Sequence, residues 1–122
     1  LSPPPAQTPP PPQPPPPSSG QIVYGSSGYS LATLSVAVGT RVVFKNQSSF
    51  GMWTASDFHP THTIYPDSSI SKCGTSEADT IFDSCADISP GGEWSFVFTE
   101  PGTWNYHNHS RPSHSGTIIV TQ

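Results

Sequence analysis

The chain has 122 residues, of which only 10% are charged, and its formal net charge at pH 7 is −4. Its four lysine and arginine residues are too few to form the clustered positive surface that nucleic acids or anionic membranes require. No apolar stretch of the sequence is long enough to cross a bilayer. We therefore expect no nucleic-acid partner and no membrane insertion.

Residues 1–20 form a proline-rich segment with eleven prolines and almost no large apolar side chain. Such a segment cannot bury a core, and it favours a disordered or polyproline conformation. We predict a linker over residues 1–20 and a single folded domain over residues 21–122. The remaining residues, about 100, are enough for a single small β-sandwich.

Downstream of the linker, turn residues recur every few positions and apolar residues alternate with polar ones, as in half-buried strands. The longest stretch without this alternation is 57–91, which we expect to be loop with at most a helical turn near 76–82. This pattern predicts an all-β, two-sheet Greek-key sandwich. The predicted strands are 21–24, 32–38, 41–46, 53–56, 93–99, 103–109 and 116–121.

The two cysteines, Cys73 and Cys85, enclose a polar segment, and their spacing matches no zinc motif. A disulfide between them is the favoured interpretation, and a copper thiolate is the alternative. A disulfide would indicate an oxidising compartment, so we expect an exported protein: periplasmic, cell-surface or extracellular.

Four of the five histidines form two close pairs, His59 with His62 and His107 with His109. On a strand, positions 107 and 109 share one face at about 6.5–7 Å, which is close enough to bind or flank one metal ion. Neutral imidazole binds copper, zinc, iron and nickel, and the affinity order favours Cu(II). The sequence therefore predicts a metal site with copper as the cofactor and tetrahedral zinc as the alternative.

Two further residues are possible additional ligands, the isolated His114 and the soft thioether of Met52, although packing explains Met52 equally well. The eight acidic residues lie between Asp57 and Glu100, and we expect them to be mostly solvated. Asp57 has an alternative role as an acceptor that orients a histidine ring.

Several segments resemble the cupredoxin family in order and spacing, and together they cover residues 21–122. The resemblance implies a two-sheet Greek-key domain that usually holds copper at one end. The segments are Val36-Ala-Val-Gly-Thr-Arg-Val-Val-Phe-Lys-Asn46, Pro90-Gly-Gly-Glu-Trp-Ser-Phe-Val-Phe98, Pro101-Gly-Thr-Trp-Asn-Tyr-His107 and Gly116-Thr-Ile-Ile-Val120.

The ligands of a blue copper site, however, are absent from the matching positions, which hold Met52, Asn108, Arg111 and His114. Without a thiolate no ordinary blue centre forms. The segment ending in Tyr106-His-Asn-His109 instead resembles the Gly-Thr-x-x-Tyr-His-x-His segment of multicopper oxidases. His59-Pro-Thr-His62 resembles part of their His-Pro-x-His-x-His segment. This resemblance implies that the two histidine pairs bind copper without sulfur.

Three functions are consistent with these features. We favour an exported copper-binding protein, active in copper transfer or electron transfer with a redox or copper-transfer partner protein. The alternatives are a type-2-like copper oxidoreductase assembled in an oligomer and a metal-free structural module on a proline stalk. The sequence decides neither the oligomeric state nor whether the protein is an enzyme, although binding is favoured over catalysis.

Overall fold

The computed structural model describes residues 19–122. The predicted linker lies outside the described residues up to position 18, whereas Ser19 and Gly20 belong to the first strand. Strand β1 thus begins two residues before the predicted start of the folded domain.

Within residues 19–122, eight strands form two four-stranded sheets, which confirms the predicted all-β sandwich. The first sheet has the order β2-β1-β4-β6 and the second the order β3-β8-β7-β5. The strands are β1 (Ser19–Gly25), β2 (Gly28–Tyr29), β3 (Thr33–Ala37), β4 (Thr40–Asn46), β5 (Thr54–Ser56), β6 (Glu93–Phe98), β7 (Gly102–Asn108) and β8 (Arg111–Thr121).

Two of the strand pairs, β1 with β4 and β3 with β8, are parallel, and the other pairs are antiparallel. Parallel neighbours cannot be joined by a tight hairpin, so the chain crosses between the two sheets, as in a Greek key. The hydrophobic core lies between the sheets. Alternation along β4 buries Val42 and Phe44 completely, as the sequence pattern predicts.

The predicted loop 57–91 contains two short 3-10 turns, Ile70–Lys72 and Ala78–Thr80. The second replaces the predicted helical turn near 76–82. The disulfide between Cys73 and Cys85 is confirmed, with the Cα atoms 5.3 Å apart. It ties the middle of this loop to the segment that leads into β6.

Strand β8 begins at Arg111, five residues before its predicted start, and pairs along β7. The pairing is irregular between His107 and Asn108, where the register shifts. Within residues 19–122, no helix has the length and apolar character needed to cross a membrane.

Candidate metal centre

The second sheet presents His107 on its outer face. Tyr106, its neighbour on β7, points into the core, and successive strand residues point to opposite faces. His107 is nevertheless only 2% exposed, because the segment that follows β5 lies over it. His109 follows the end of β7, where its backbone N–H donates to the carbonyl of Trp53 (2.7 Å). The His109 ring packs against the Trp53 ring, with centroids 4.5 Å apart.

The segment that carries His59 and His62 is held over the sheet by backbone hydrogen bonds. The N–H of Asp57 donates to the carbonyl of Asn105 on β7 (3.0 Å), and the N–H of Ile64 donates back to Asp57 (2.8 Å). His62 has a φ of 59°, in the left-handed region, which costs about 1–2 kcal/mol for a residue with a Cβ. The tertiary contacts of the His62 ring compensate for this cost.

All four paired histidines converge, and one ring nitrogen from each lies within 4.8 Å of the others. His62 Nε2 lies 3.2 Å from His107 Nε2 and 3.0 Å from His109 Nδ1. Two nitrogens bound to one metal ion at about 2.0–2.1 Å are about 2.9–3.4 Å apart at angles from 90° to tetrahedral. His59 is the exposed member of the group, with its ring centroid 4.7 Å from that of His109. The spacing of the donor nitrogens therefore fits one shared cation.

Two carboxylates fix the orientation of the inner histidines. Asp57 Oδ1 lies 2.7 Å from His107 Nδ1, and Asp83 Oδ2 lies 2.7 Å from His62 Nδ1. An ionised carboxylate only accepts hydrogen bonds, so both Nδ1 atoms are the protonated nitrogens of their rings. When both rings are neutral, each Nε2 atom carries a lone pair, and the two Nε2 atoms face each other. The arrangement is the carboxylate–histidine pairing that typically supports metal-ligating histidines.

The role of Asp83 is missed by the sequence interpretation, which places the acids mostly in solvent. Asp83 is only 2% exposed, and its Oδ1 accepts hydrogen bonds from Trp53 Nε1 (2.7 Å) and the N–H of Cys85 (2.8 Å). In the sequence, Asp83 directly follows Phe82 and lies two residues before Cys85. This position is the local signal that distinguishes Asp83 from the other loop acids. Asp57, by contrast, takes the ring-orienting role that the sequence offered as an alternative.

Burial lowers the pKa of both His107 and His109 below the ordinary histidine value, since desolvation disfavours the charged ring. For His107, the hydrogen bond to Asp57 opposes this effect and is the weaker influence. The neighbouring imidazoles lower both pKa values further. At neutral pH both rings are thus in the form that binds metals.

The two possible additional ligands lie elsewhere. His114 is not part of the four-histidine group, and its Nδ1 is hydrogen-bonded to Tyr24 Oη (2.6 Å). Met52 is fully buried in the hydrophobic core, so its role is packing. Neither cysteine offers a thiolate, because both sulfurs are in the disulfide.

Asn108 occupies the position that the cupredoxin resemblance assigns to the blue-copper cysteine. Its side chain is completely buried and forms four hydrogen bonds within the protein. An amide bonded in this way fixes the chain between His107 and His109.

No protein-family model matches the chain, and no curated protein sequence matches it. Several solved structures, however, are similar to the chain. A purple cupredoxin from Nitrosopumilus maritimus superposes with a TM-score of 0.63 at 22% identity, over 84% of this chain and 99% of that one. A reduced form of an amicyanin mutant gives 0.59 at 18% identity, over 84% and 82% of the respective chains. The copper-containing nitrite reductase NirK from Thermus scotoductus SA-01 gives 0.64 at 17% identity, over 85% of this chain but only 22% of its own.

These similarities establish the fold, which is that of a cupredoxin-like domain. On this fold, the four histidines place their donor nitrogens close enough together to hold one metal ion.

Proposed function

We propose that this domain binds one copper ion through the imidazole nitrogens of His59, His62, His107 and His109, without a thiolate. The donor atoms would be His62 Nε2, His107 Nε2, His109 Nδ1 and one nitrogen of His59. A bound copper ion would supply a centre that gains and loses one electron.

The observation that carries the proposal is the pair of facing lone pairs on His62 and His107. With both Nδ1 atoms committed to Asp83 and Asp57, the Nε2 atoms of two neutral rings face each other with their lone pairs at 3.2 Å. Two acceptors that face each other at this distance repel one another, which costs free energy. A cation between them turns this cost into two metal–nitrogen bonds.

Copper is favoured over zinc for two reasons. Cu(II) binds a nitrogen donor set more tightly than Zn(II) in the affinity order of divalent metals. Among the structurally similar proteins, the nitrite reductase contains copper and amicyanin occurs in a Cu(I) form.

We propose further that the protein is exported and holds copper for transfer or for one-electron exchange with a partner protein. His59, the exposed ligand, directly follows Phe58, and the same segment carries two exposed apolar residues, Phe58 (65% exposed) and Ile64 (41% exposed). This edge of the site is open to a partner. The disulfide supports an oxidising compartment.

A type-2-like copper oxidoreductase is the second candidate. A histidine-only site with one exposed ligand favours it, because a small substrate reaches the metal at that edge. All four donors come from one chain, so the site does not require assembly between subunits.

The test is a copper titration followed by calorimetry and electron paramagnetic resonance (EPR). We expect one Cu(II) per chain, nitrogen hyperfine structure from imidazoles, and no intense sulfur-to-copper charge-transfer band. The double variant His62→Ala/His107→Ala should lose the site. His114→Gln is the matched control, since it removes a histidine outside the cluster. Equal copper stoichiometry in wild type and double variant would overturn the proposal.

A further inference from the structure

A second cluster of functional groups lies on the other side of β7, where Tyr24 meets His114. Tyr24 is completely buried, and its Oη lies 2.6 Å from His114 Nδ1. The side-chain amide of Asn108 also reaches this oxygen, with Nδ2 at 2.9 Å. Neither Tyr24 nor His114 belongs to the proposed copper site.

The hydrogen-bond network fixes the direction of the tyrosine proton. Asn108 Oδ1 accepts from two backbone N–H groups, those of Trp53 (2.9 Å) and Ser110 (3.0 Å). This determines the orientation of the amide, because its oxygen must face the two donors. Nδ2 therefore donates to the Tyr24 oxygen and to the carbonyl of Gly51 (3.0 Å).

Since the phenol oxygen of Tyr24 accepts from Asn108, its own proton is free to point along the remaining short contact. That contact ends at His114 Nδ1, which must then be an unprotonated acceptor. The neutral His114 ring carries its proton on Nε2. The phenol of Tyr24 is thus donating to a base that is able to take up its proton.

The other three tyrosines, which also lie in the described part of the chain, have no such base. Tyr29 Oη is paired with the hydroxyl of Thr54, and the buried Tyr106 Oη has no hydrogen-bond partner. Tyr65 Oη accepts from two backbone N–H groups. Burial raises the pKa of Tyr29 and of Tyr106 well above the ordinary tyrosine value, so neither loses its proton easily.

We propose that Tyr24 is a redox-active tyrosine with His114 as its proton acceptor. A one-electron oxidant whose reduction potential is higher than that of the tyrosyl radical, such as a peroxide-derived radical, takes one electron from Tyr24. The phenol O–H bond breaks, its proton moves to His114 Nδ1, and the products are a neutral tyrosyl radical, an imidazolium ion and the oxidant reduced by one electron. Return of one electron and the proton restores the pair.

The position of the pair gives the step a structural route to the histidine cluster. Asn108, which donates to the Tyr24 oxygen, is covalently linked to His107 on one side and His109 on the other. One hydrogen bond and a short length of backbone therefore join the tyrosine to two proposed ligands. Complete burial of Tyr24 keeps solvent from the radical.

The experiment uses the full chain without metal, so that its result is independent of copper binding. A photo-generated ruthenium(III) polypyridyl complex serves as the oxidant, and the radical is followed by transient absorption and high-field EPR. We expect a neutral tyrosyl radical with a g-tensor typical of a hydrogen-bonded phenoxyl and a rate that falls in D₂O. Tyr24→Phe should remove this signal, whereas Tyr29→Phe, a matched loss of a buried hydroxyl, should keep it.

His114→Gln should slow formation of the radical by about a hundredfold, the scale of a lost positioned proton acceptor. In His114→Gly, added imidazole should restore the rate, which a purely structural role would not produce. Near-ultraviolet circular dichroism checks that each variant is folded. The same radical in Tyr24→Phe, or an unchanged rate in a folded His114→Gln, would overturn the proposal.

Discussion

Replacing Asp83 by asparagine tests how the inner histidines are oriented. The substitution keeps the size of the side chain, and asparagine Oδ1 can still accept from Trp53 Nε1 and the N–H of Cys85. The amide NH₂ then faces His62 Nδ1 in place of a carboxylate oxygen. Two donors cannot face each other, so the His62 proton moves from Nδ1 to Nε2. Nε2 is the atom that lies 3.2 Å from His107 and 3.0 Å from His109.

The expected result is a large loss of copper affinity with little loss of stability. Loss of a carboxylate that supports a metal ligand costs about 10- to 100-fold in metal affinity, or about 1.4–2.7 kcal/mol. In the metal-free protein the relocated proton forms a hydrogen bond from His62 Nε2 to a neighbouring imidazole. The free energy of unfolding should therefore change by less than about 1 kcal/mol.

Copper affinity is measured by competition with a chelator, and the tautomer of His62 by nitrogen NMR of the metal-free protein. Asp79→Asn is the matched control, because Asp79 is an exposed acid of the same loop. An Asp83→Asn protein with wild-type copper affinity and an unchanged His62 tautomer would refute the reasoning.

Three further predictions concern the stability of the fold, and the third also concerns copper binding. Burial lowers the pKa of His107 below its value of about 6.5 in the unfolded chain. The stability that this histidine contributes is therefore present above about pH 6.5 and is lost as the pH falls through the lower pKa of the folded state. Urea unfolding at a series of pH values should show this loss. Gly116→Ala should destabilise by about 1–3 kcal/mol in the same assay, because the added Cβ would lie 2.6 Å from Tyr106 Cζ. Replacing Cys73 and Cys85 by serine should cost about 3 kcal/mol of loop-closure entropy and should also weaken copper binding in the chelator assay, since the Cys85 N–H donates to Asp83.

The first two of these predictions have a matched control variant, and all three have a contradicting result. For the pH dependence, His107→Gln should show a weaker fall below pH 6.5, and equal slopes would contradict the assignment. For the glycine, Gly25→Ala adds a Cβ whose nearest neighbour is at 3.9 Å, so equal losses in the two variants would exclude the clash. For the disulfide, wild-type copper affinity in the double serine variant would show that Asp83 keeps its position without it.

The sequence alone predicts much of the sandwich and the identity of the histidine pairs. Strand alternation is a local property, and burial of every second residue therefore appears directly in the residue order, as in β4. The sequence places His107 and His109 on one strand, whereas in the structure β7 ends at Asn108 and its register shifts after His107. The cupredoxin resemblance predicts the fold that the structural comparisons confirm.

The tertiary structure decides which side chains meet. Asp83 is 21 residues from His62 in the sequence, and the path of the intervening loop has no periodicity that would predict their contact. The same holds for His114, which pairs with Tyr24 across 90 residues instead of joining the other histidines. Residue types and local spacing thus determine that this chain presents paired imidazoles. The packing of a long loop over the second sheet determines the orientation of those imidazoles, because burial and hydrogen-bond partners depend on contacts between distant segments.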